Sequence, residues 1–157
     1  MTTLYLTETA WSQIRRAVGH YPELETGGIL LGYKQDAKSW IITFASEPGP
    51  NALRMEHSIL FDDKYLHRII KRKTRPNSKI QYIGDWHSHT MPRLTPSRTD
   101  KNTFVQKSNQ NEYRSDSPIM LIVGYNRQKQ LMARGYFLER GIRSFSRIEV
   151  QTSQAAQ

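Results

Sequence analysis

Two histidines one residue apart stand in Trp86-His87-Ser88-His89, and Ser97 and Asp100 follow in Thr95-Pro96-Ser97-Arg98-Thr99-Asp100. On an extended segment, residues two apart share a face. The imidazoles of His87 and His89 then project together from Cα atoms roughly 6.5–7 Å apart and can converge on one ion. A catalytic zinc takes three protein ligands and keeps a fourth position open to solvent. The histidines supply two ligands, and Asp100 is the candidate third. Pro96 suits the opening of a helix, which puts Asp100 on its first turn, able to reach back to the end of the histidine strand.

Zinc lowers the pKa of a bound water to about 7, and a carboxylate that is not itself a ligand must carry the proton to the leaving amine. Glu25 fits this part. It stands in Leu24-Glu25-Thr26-Gly27-Gly28-Ile29-Leu30-Leu31, where a polar loop meets an apolar strand. Gly27 and Gly28 allow other backbone to come close. Ser97 can donate a hydrogen bond to the oxyanion of a tetrahedral intermediate. Each piece also has a plainer reading. Two histidines can line one exposed strand face, Ser97-x-x-Asp100 can be a helix-capping pair, and Glu25 can be a surface acid like its neighbour Glu23. Their joint occurrence is what points to a site.

The elements that must position these residues can be read along the chain. A first helix follows the N-cap Thr7, with Trp11, Ile14 and Val18 at helical spacing and Gly19 and Pro22 at its end. Strands over 27–33 and 39–46 flank a turn at Gln35-Asp36 and form a hairpin. Pro48-Gly49-Pro50-Asn51 breaks the chain, and an extended piece covers 54–61. A second helix runs over 62–75 with Leu66, Ile69 and Ile70 as its apolar stripe. A strand over 79–86 delivers His87 and His89. A third helix opens near Pro96 or Ser97 and reaches Asn109. Strands over 118–125, 131–139 and 144–150 complete the pattern. The mixture is α/β or α+β, one domain over 1–150 with helices packed on a mixed sheet, followed by a patternless polar tail over 151–157.

The bulk composition bounds the function. The chain has 157 residues and no cysteine. That excludes disulfides, thiolate metal sites and cysteine-dependent hydrolysis. No apolar run is long enough to span a membrane, and the N-terminal residues lack the pattern of a signal peptide, so the expected location is the cytoplasm. The net charge of +9, from 23 basic and 14 acidic residues, favours an acidic partner surface. The densest basic run, Lys71-Arg72-Lys73-Thr74-Arg75, falls at a helix C-terminus, where the macrodipole also favours cations.

The constellation resembles the JAMM (JAB, MPN+) metalloproteases, whose signature is a Glu, then His-x-His, then Ser and Asp at fixed offsets. The match runs through Glu25, His87, His89, Ser97 eight residues after His89, and Asp100 three beyond. Thr90 stands where the family usually has proline, with Pro92 two further on and the offset to Ser97 unchanged. The resemblance implies a single MPN/JAB1-like (cytidine deaminase-like) domain with a mixed sheet wrapped by helices. It also implies zinc on His87, His89 and Asp100, Glu25 as general base and acid, and Ser97 at the oxyanion. Gly84-Asp85-Trp86-His87-Ser88-His89 and the compact size are similar to the bacterial deconjugating proteases of CD-NTase (CBASS) anti-phage operons. That likeness implies an isopeptidase acting on a ubiquitin-like protein or a CD-NTase C-terminal tail joined to a target amine, beside an E1–E2-like partner. Processing of a sulfur-carrier tail, a RadC-like nucleic-acid-associated role suggested by Thr95-Pro96-Ser97-Arg98, and a non-enzymatic scaffold are the alternatives.

Overall fold

The computed structural model describes residues 1–152. In order, its elements are β1 (Thr3–Thr7), α1 (Glu8–His20), β2 (Gly27–Asp36), β3 (Ser39–Ala45), β4 (Leu53–Arg54), β5 (Ile59–Leu60), α2 (Asp63–Lys73), β6 (Gln81–Ser88), α3 (Arg98–Ser108), a 3-10 turn at Asn111–Tyr113, β7 (Ile119–Tyr125), β8 (Leu131–Leu138), β9 (Ile142–Ser144) and β10 (Arg147–Gln151). Eight strands form one sheet in the order β10-β1-β3-β2-β6-β7-β8-β9, and β4 with β5 forms a separate small hairpin. The sheet is mixed. β1 runs parallel to β10 and β3, β6 runs parallel to β7, and the remaining pairs are antiparallel.

Period-two alternation assigns the two faces. On β7, Ile119, Leu121 and Val123 pack into the largest core with Ala10, Ile14, Ala17 and Val18 of α1, while Met120 and Ile122 point the other way toward Phe104 of α3. On β2, Leu30 joins the α1 core and Ile29 and Leu31 pack with Leu66 and Ile69 of α2. The sheet is therefore covered by α1 on one face and by α2 and α3 on the other, as the mixed α/β reading expects.

The helix starts are where the sequence puts them. The Thr7 hydroxyl accepts from Ala10 N at 3.2 Å, Asp62 accepts from Tyr65 N at 3.2 Å, and Ser97 caps α3. Several bounds differ. α1 runs through Gly19 to His20 before Pro22. Gln35 and Asp36 still belong to β2, and the turn is Ala37-Lys38. The extended piece over 54–61 is the β4–β5 hairpin. The strand over 144–150 is β10, which starts only at Arg147; Ser144 ends β9, and Phe145-Ser146 separate the two. β1 is an element the sequence reading lacks; its hydrogen-bonded position between β10 and β3 makes it a strand despite its brevity. Gln151, placed in the tail by sequence, pairs with Thr7 in β10; residues 153–157 lie outside the described residues.

One irregularity lies just before the histidines. β2 and β6 pair Leu30 with Gly84 and Leu31 with Tyr82, so Ile83 has no partner of its own. This is a β-bulge, with Gly84 at φ +155; a Cβ there would lie 1.8 Å from the Ile119 carbonyl oxygen, which leaves no room for a side chain. Ile83 and Trp86 then both face the α1 core, while Tyr82, Asp85 and His87 share the opposite face, with the Tyr82 hydroxyl donating to Asp85 Oδ1 at 2.8 Å.

Candidate metal centre

β6 ends at Ser88, and His89 continues its ladder by donating its N–H to the Val123 carbonyl at 2.8 Å. His87 and His89 bring their Nε2 atoms to 3.1 Å. Asp100 Oδ2 lies 3.3 Å from Nε2 of His87 and 3.2 Å from Nε2 of His89. Bonds of about 2.0–2.1 Å to a tetrahedral ion separate ligand atoms by roughly 3.3–3.4 Å. The three donor atoms therefore already approximate one face of such a tetrahedron. Among the described residues these three are the one group of histidine and acid side chains whose donor atoms cluster this way. His89 Nδ1 sits 2.8 Å from the Arg93 carbonyl, which makes Nδ1 the protonated nitrogen and leaves the Nε2 lone pair for an ion. The residues present thus fit a divalent metal with nitrogen and oxygen preference.

Burial and partners set the charges. Burial alone would raise the Asp100 carboxyl, but hydrogen bonds to His87 and His89 outweigh it and hold Asp100 far below the usual carboxylate range. Burial opposes charge on the His89 ring, yet its contacts with Asp100 and the Arg93 carbonyl raise its pKa. Glu25, 7% exposed, moves the other way from Asp100: burial raises its carboxyl against the pull of His87 and His89.

Glu25 stands outside the three-donor cluster but lines the same cavity of about 430 Å³ with His57, His89, Ser97 and Asp100. Its loop is held on both sides. Glu25 N donates to the Met55 carbonyl at 2.8 Å. Thr26 N donates to Ser88 Oγ at 2.9 Å, and Ser88 N donates to the Thr26 carbonyl at 2.8 Å. Gly27 pairs with His87, and a Cβ there would lie 2.3 Å from the Trp86 carbonyl oxygen; the glycine lets the Glu25 loop reach the histidine strand.

Ser97 caps α3 and also faces the cavity. Its Oγ accepts from Asp100 N at 3.0 Å, and Asp100 Oδ2 accepts from Ser97 N at 2.9 Å, a reciprocal capping box. A hydroxyl that accepts still has its proton to donate, and Ser97 opens on the cavity that Glu25 lines. The structure thus brings together all five residues singled out by type and spacing. Sequence reasoning missed Ser88, whose buried hydroxyl stitches the Glu25 loop to the ligand strand, and the carbonyl of Arg93. Neither carries a signal in residue type; both act through backbone geometry.

The chain is similar to several known proteins. A protein of Sinorhizobium fredii named as a probable metalloprotease is 29% identical over 76% of this chain and 74% of its own length. The CD-NTase/cGAS isopeptidases of Escherichia coli and Vibrio cholerae are 32% and 28% identical over 67% of this chain. This chain spans about two thirds of the length of those two isopeptidases, 65% of each. The solution structure of a Desulfitobacterium hafniense protein has the same fold, with a TM-score of 0.64 over 98% of both chains at 15% identity. Residues 7–135 match the family described as prokaryotic homologs of the JAB domain, and the chain belongs to that family.

Proposed function

We propose that this protein is a zinc-dependent isopeptidase that hydrolyses the amide between the C-terminal residue of a ubiquitin-like protein, or of a CD-NTase, and a target amine. The observation that carries the reading is the meeting of three Nε2 and Oδ2 donors, 3.1–3.3 Å apart, beside a buried carboxylate that is not one of them. His87, His89 and Asp100 hold the ion. When bound, zinc supplies a Lewis acid that acidifies water and polarises the scissile carbonyl.

The chain's own residues do the rest. Glu25 accepts the proton of the attacking water and passes it to the departing amine, so hydroxyl ends on the acyl carbon and hydrogen on the nitrogen. Burial suits Glu25 to this exchange by bringing its pKa toward the working range. Ser97 directs its O–H at the carbonyl oxygen as negative charge develops there. The names of the bacterial isopeptidase relatives support the substrate class; a cytoplasmic setting, a role in anti-phage defence and an E1–E2-like partner that makes the conjugate are what the resemblance to the deconjugating proteases implies.

The test is a purified conjugate of a CD-NTase tail on a lysine amine, incubated with the zinc-loaded protein and resolved on a gel. Release of the free tail is expected from the wild type. Glu25→Ala should retain zinc and release none. An intact CD-NTase conjugate, with a ubiquitin-like or sulfur-carrier conjugate cleaved in parallel, would reassign the substrate; no cleavage of any conjugate by zinc-loaded wild type would overturn the enzyme reading.

A further inference from the structure

α3 carries Ser97 at its cap and Asp100 in its first turn, yet it is poorly anchored by apolar packing. Phe104 is its one buried residue. Three and seven residues further on, the same helical face presents Lys107, one turn beyond Phe104 and two beyond Asp100. Lys107 Nζ lies 2.6 Å from Asp85 Oδ2, and Asp85 precedes His87 by two on the same face of β6. The ammonium also sits 4.0 Å from the ring centre of Tyr113 and 4.5 Å from that of Phe61. Asp85 is held in turn by the Tyr82 hydroxyl.

The helix and strand are therefore joined at two points of opposite polarity. At one end an acid on α3 meets histidines on β6; at the other a base on α3 meets an acid on β6. Phe104 lies between them along the helix and lines the space they share. Both joints open on one groove of about 560 Å³ that runs from His87 and Asp100 to Lys107 and Tyr113. A shielded ion pair adds little net stability but is strict about geometry, which is what a helix bearing a metal ligand requires.

We propose that Lys107, through Asp85, is a positioning residue for the metal centre: the pair fixes α3 against β6 so that Asp100 reaches the ion held by His87 and His89. This rests on the reading of those three residues as metal ligands.

The test measures zinc affinity by chelator competition and the visible absorption of the cobalt-loaded protein, which reports ligand geometry. Lys107→Met should weaken zinc about 10–100-fold, the usual effect of removing a residue that orients a ligand, and should alter the cobalt spectrum. Asp85→Asn, which keeps shape and a partner for Tyr82, should act in the same direction and serves if Lys107→Met does not fold. In either background, adding Asp100→Ala should cost less affinity than it does in the wild type, because Asp100 is already displaced. Ile14→Val, on the α1 face of the sheet, controls for stability and should leave affinity unchanged. Wild-type affinity and spectrum in Asp85→Asn, or affinity that merely follows melting temperature across all variants, would overturn the proposal. A wild type that binds no zinc would instead overturn the metal reading on which it stands.

Discussion

At the scale of single residues, two carboxylates a short distance apart are driven in opposite directions. Asp100 is surrounded by hydrogen-bond donors and stays ionised; Glu25 is buried without comparable donors and holds its proton more tightly than an exposed glutamate. This separation is what distinguishes a ligand from a proton carrier. It has a measurable sign. Glu25 binds its proton better in the folded chain than in the unfolded one, so its contribution to stability is complete below the unfolded value of about 4.3. That contribution is lost as pH rises through the raised folded value. Glu25→Gln cannot acquire the charge. In the metal-free protein it should therefore raise the melting temperature more at pH 7 than at pH 4, and equal shifts at the two pH values would remove burial as the cause. The types and spacing of His87, His89, Ser97 and Asp100 were legible because ligands on one strand end and one helix turn leave a sequence pattern. Glu25 was legible only jointly with them, since a lone acid before a strand has no distinguishing mark.

At the scale of elements, the site depends on the seam between β2 and β6. Gly27 against His87 and the Ser88 hydroxyl against Thr26 bring the Glu25 loop to the metal ligands. Gly27→Ala puts a methyl group into the Trp86 carbonyl and should force the two strands apart. A loss of about 1–3 kcal/mol in urea denaturation is expected from such overpacking, with a fall in turnover at unchanged zinc content; wild-type stability in this variant would mean the seam has slack. The strong strands and all three helices could be read from periodicity and caps, because Thr7, Asp62 and Ser97 are local signals. β1, the split between β9 and β10, and the small β4–β5 hairpin could not. Their strand character comes from partners distant in the chain, such as Leu4 beside Trp40 and Ile148, and five or fewer residues carry too little periodicity to reveal it. The Lys107–Asp85 pair was equally hidden: a lysine near a helix C-terminus reads as an ordinary macrodipole partner until the strand beneath it is known.

At the scale of the whole molecule, the metal would link the central strand β6 to α3, one of the two helices on the outer face. An ion that binds only the folded chain stabilises it in proportion to occupancy, by about 2.7 kcal/mol when free ion exceeds its dissociation constant a hundredfold. Titrating zinc should therefore raise the melting temperature progressively, and chelator should reverse it. In Asp100→Ala the rise should shrink sharply at the same free zinc. A full rise in that variant would show that Asp100 is not part of the linkage. The charge of +9 is carried partly by the exposed Lys64, Arg68, Lys71 and Arg72 of α2, on the same outer side of the sheet as α3. No described helix is long and apolar enough to cross a membrane.

The unpaired Ile83 also bears on how far the length of β6 may vary without moving the five side chains. Beyond it, every position of β6 is in the phase that sends Trp86 inward and His87 outward. Deleting that single residue would turn the bulge into regular alternation, with Tyr82 and Asp85 two apart on one face, Trp86 still inward and both imidazoles still outward; the loss would be the isoleucine side chain in the hydrocarbon around α1. A homologue could thus be one residue shorter here and still present Glu, His, His, Ser and Asp to one another. Among such sequences, the spacing from the tyrosine to the tryptophan reports how the space under α1 is filled and says nothing against catalysis.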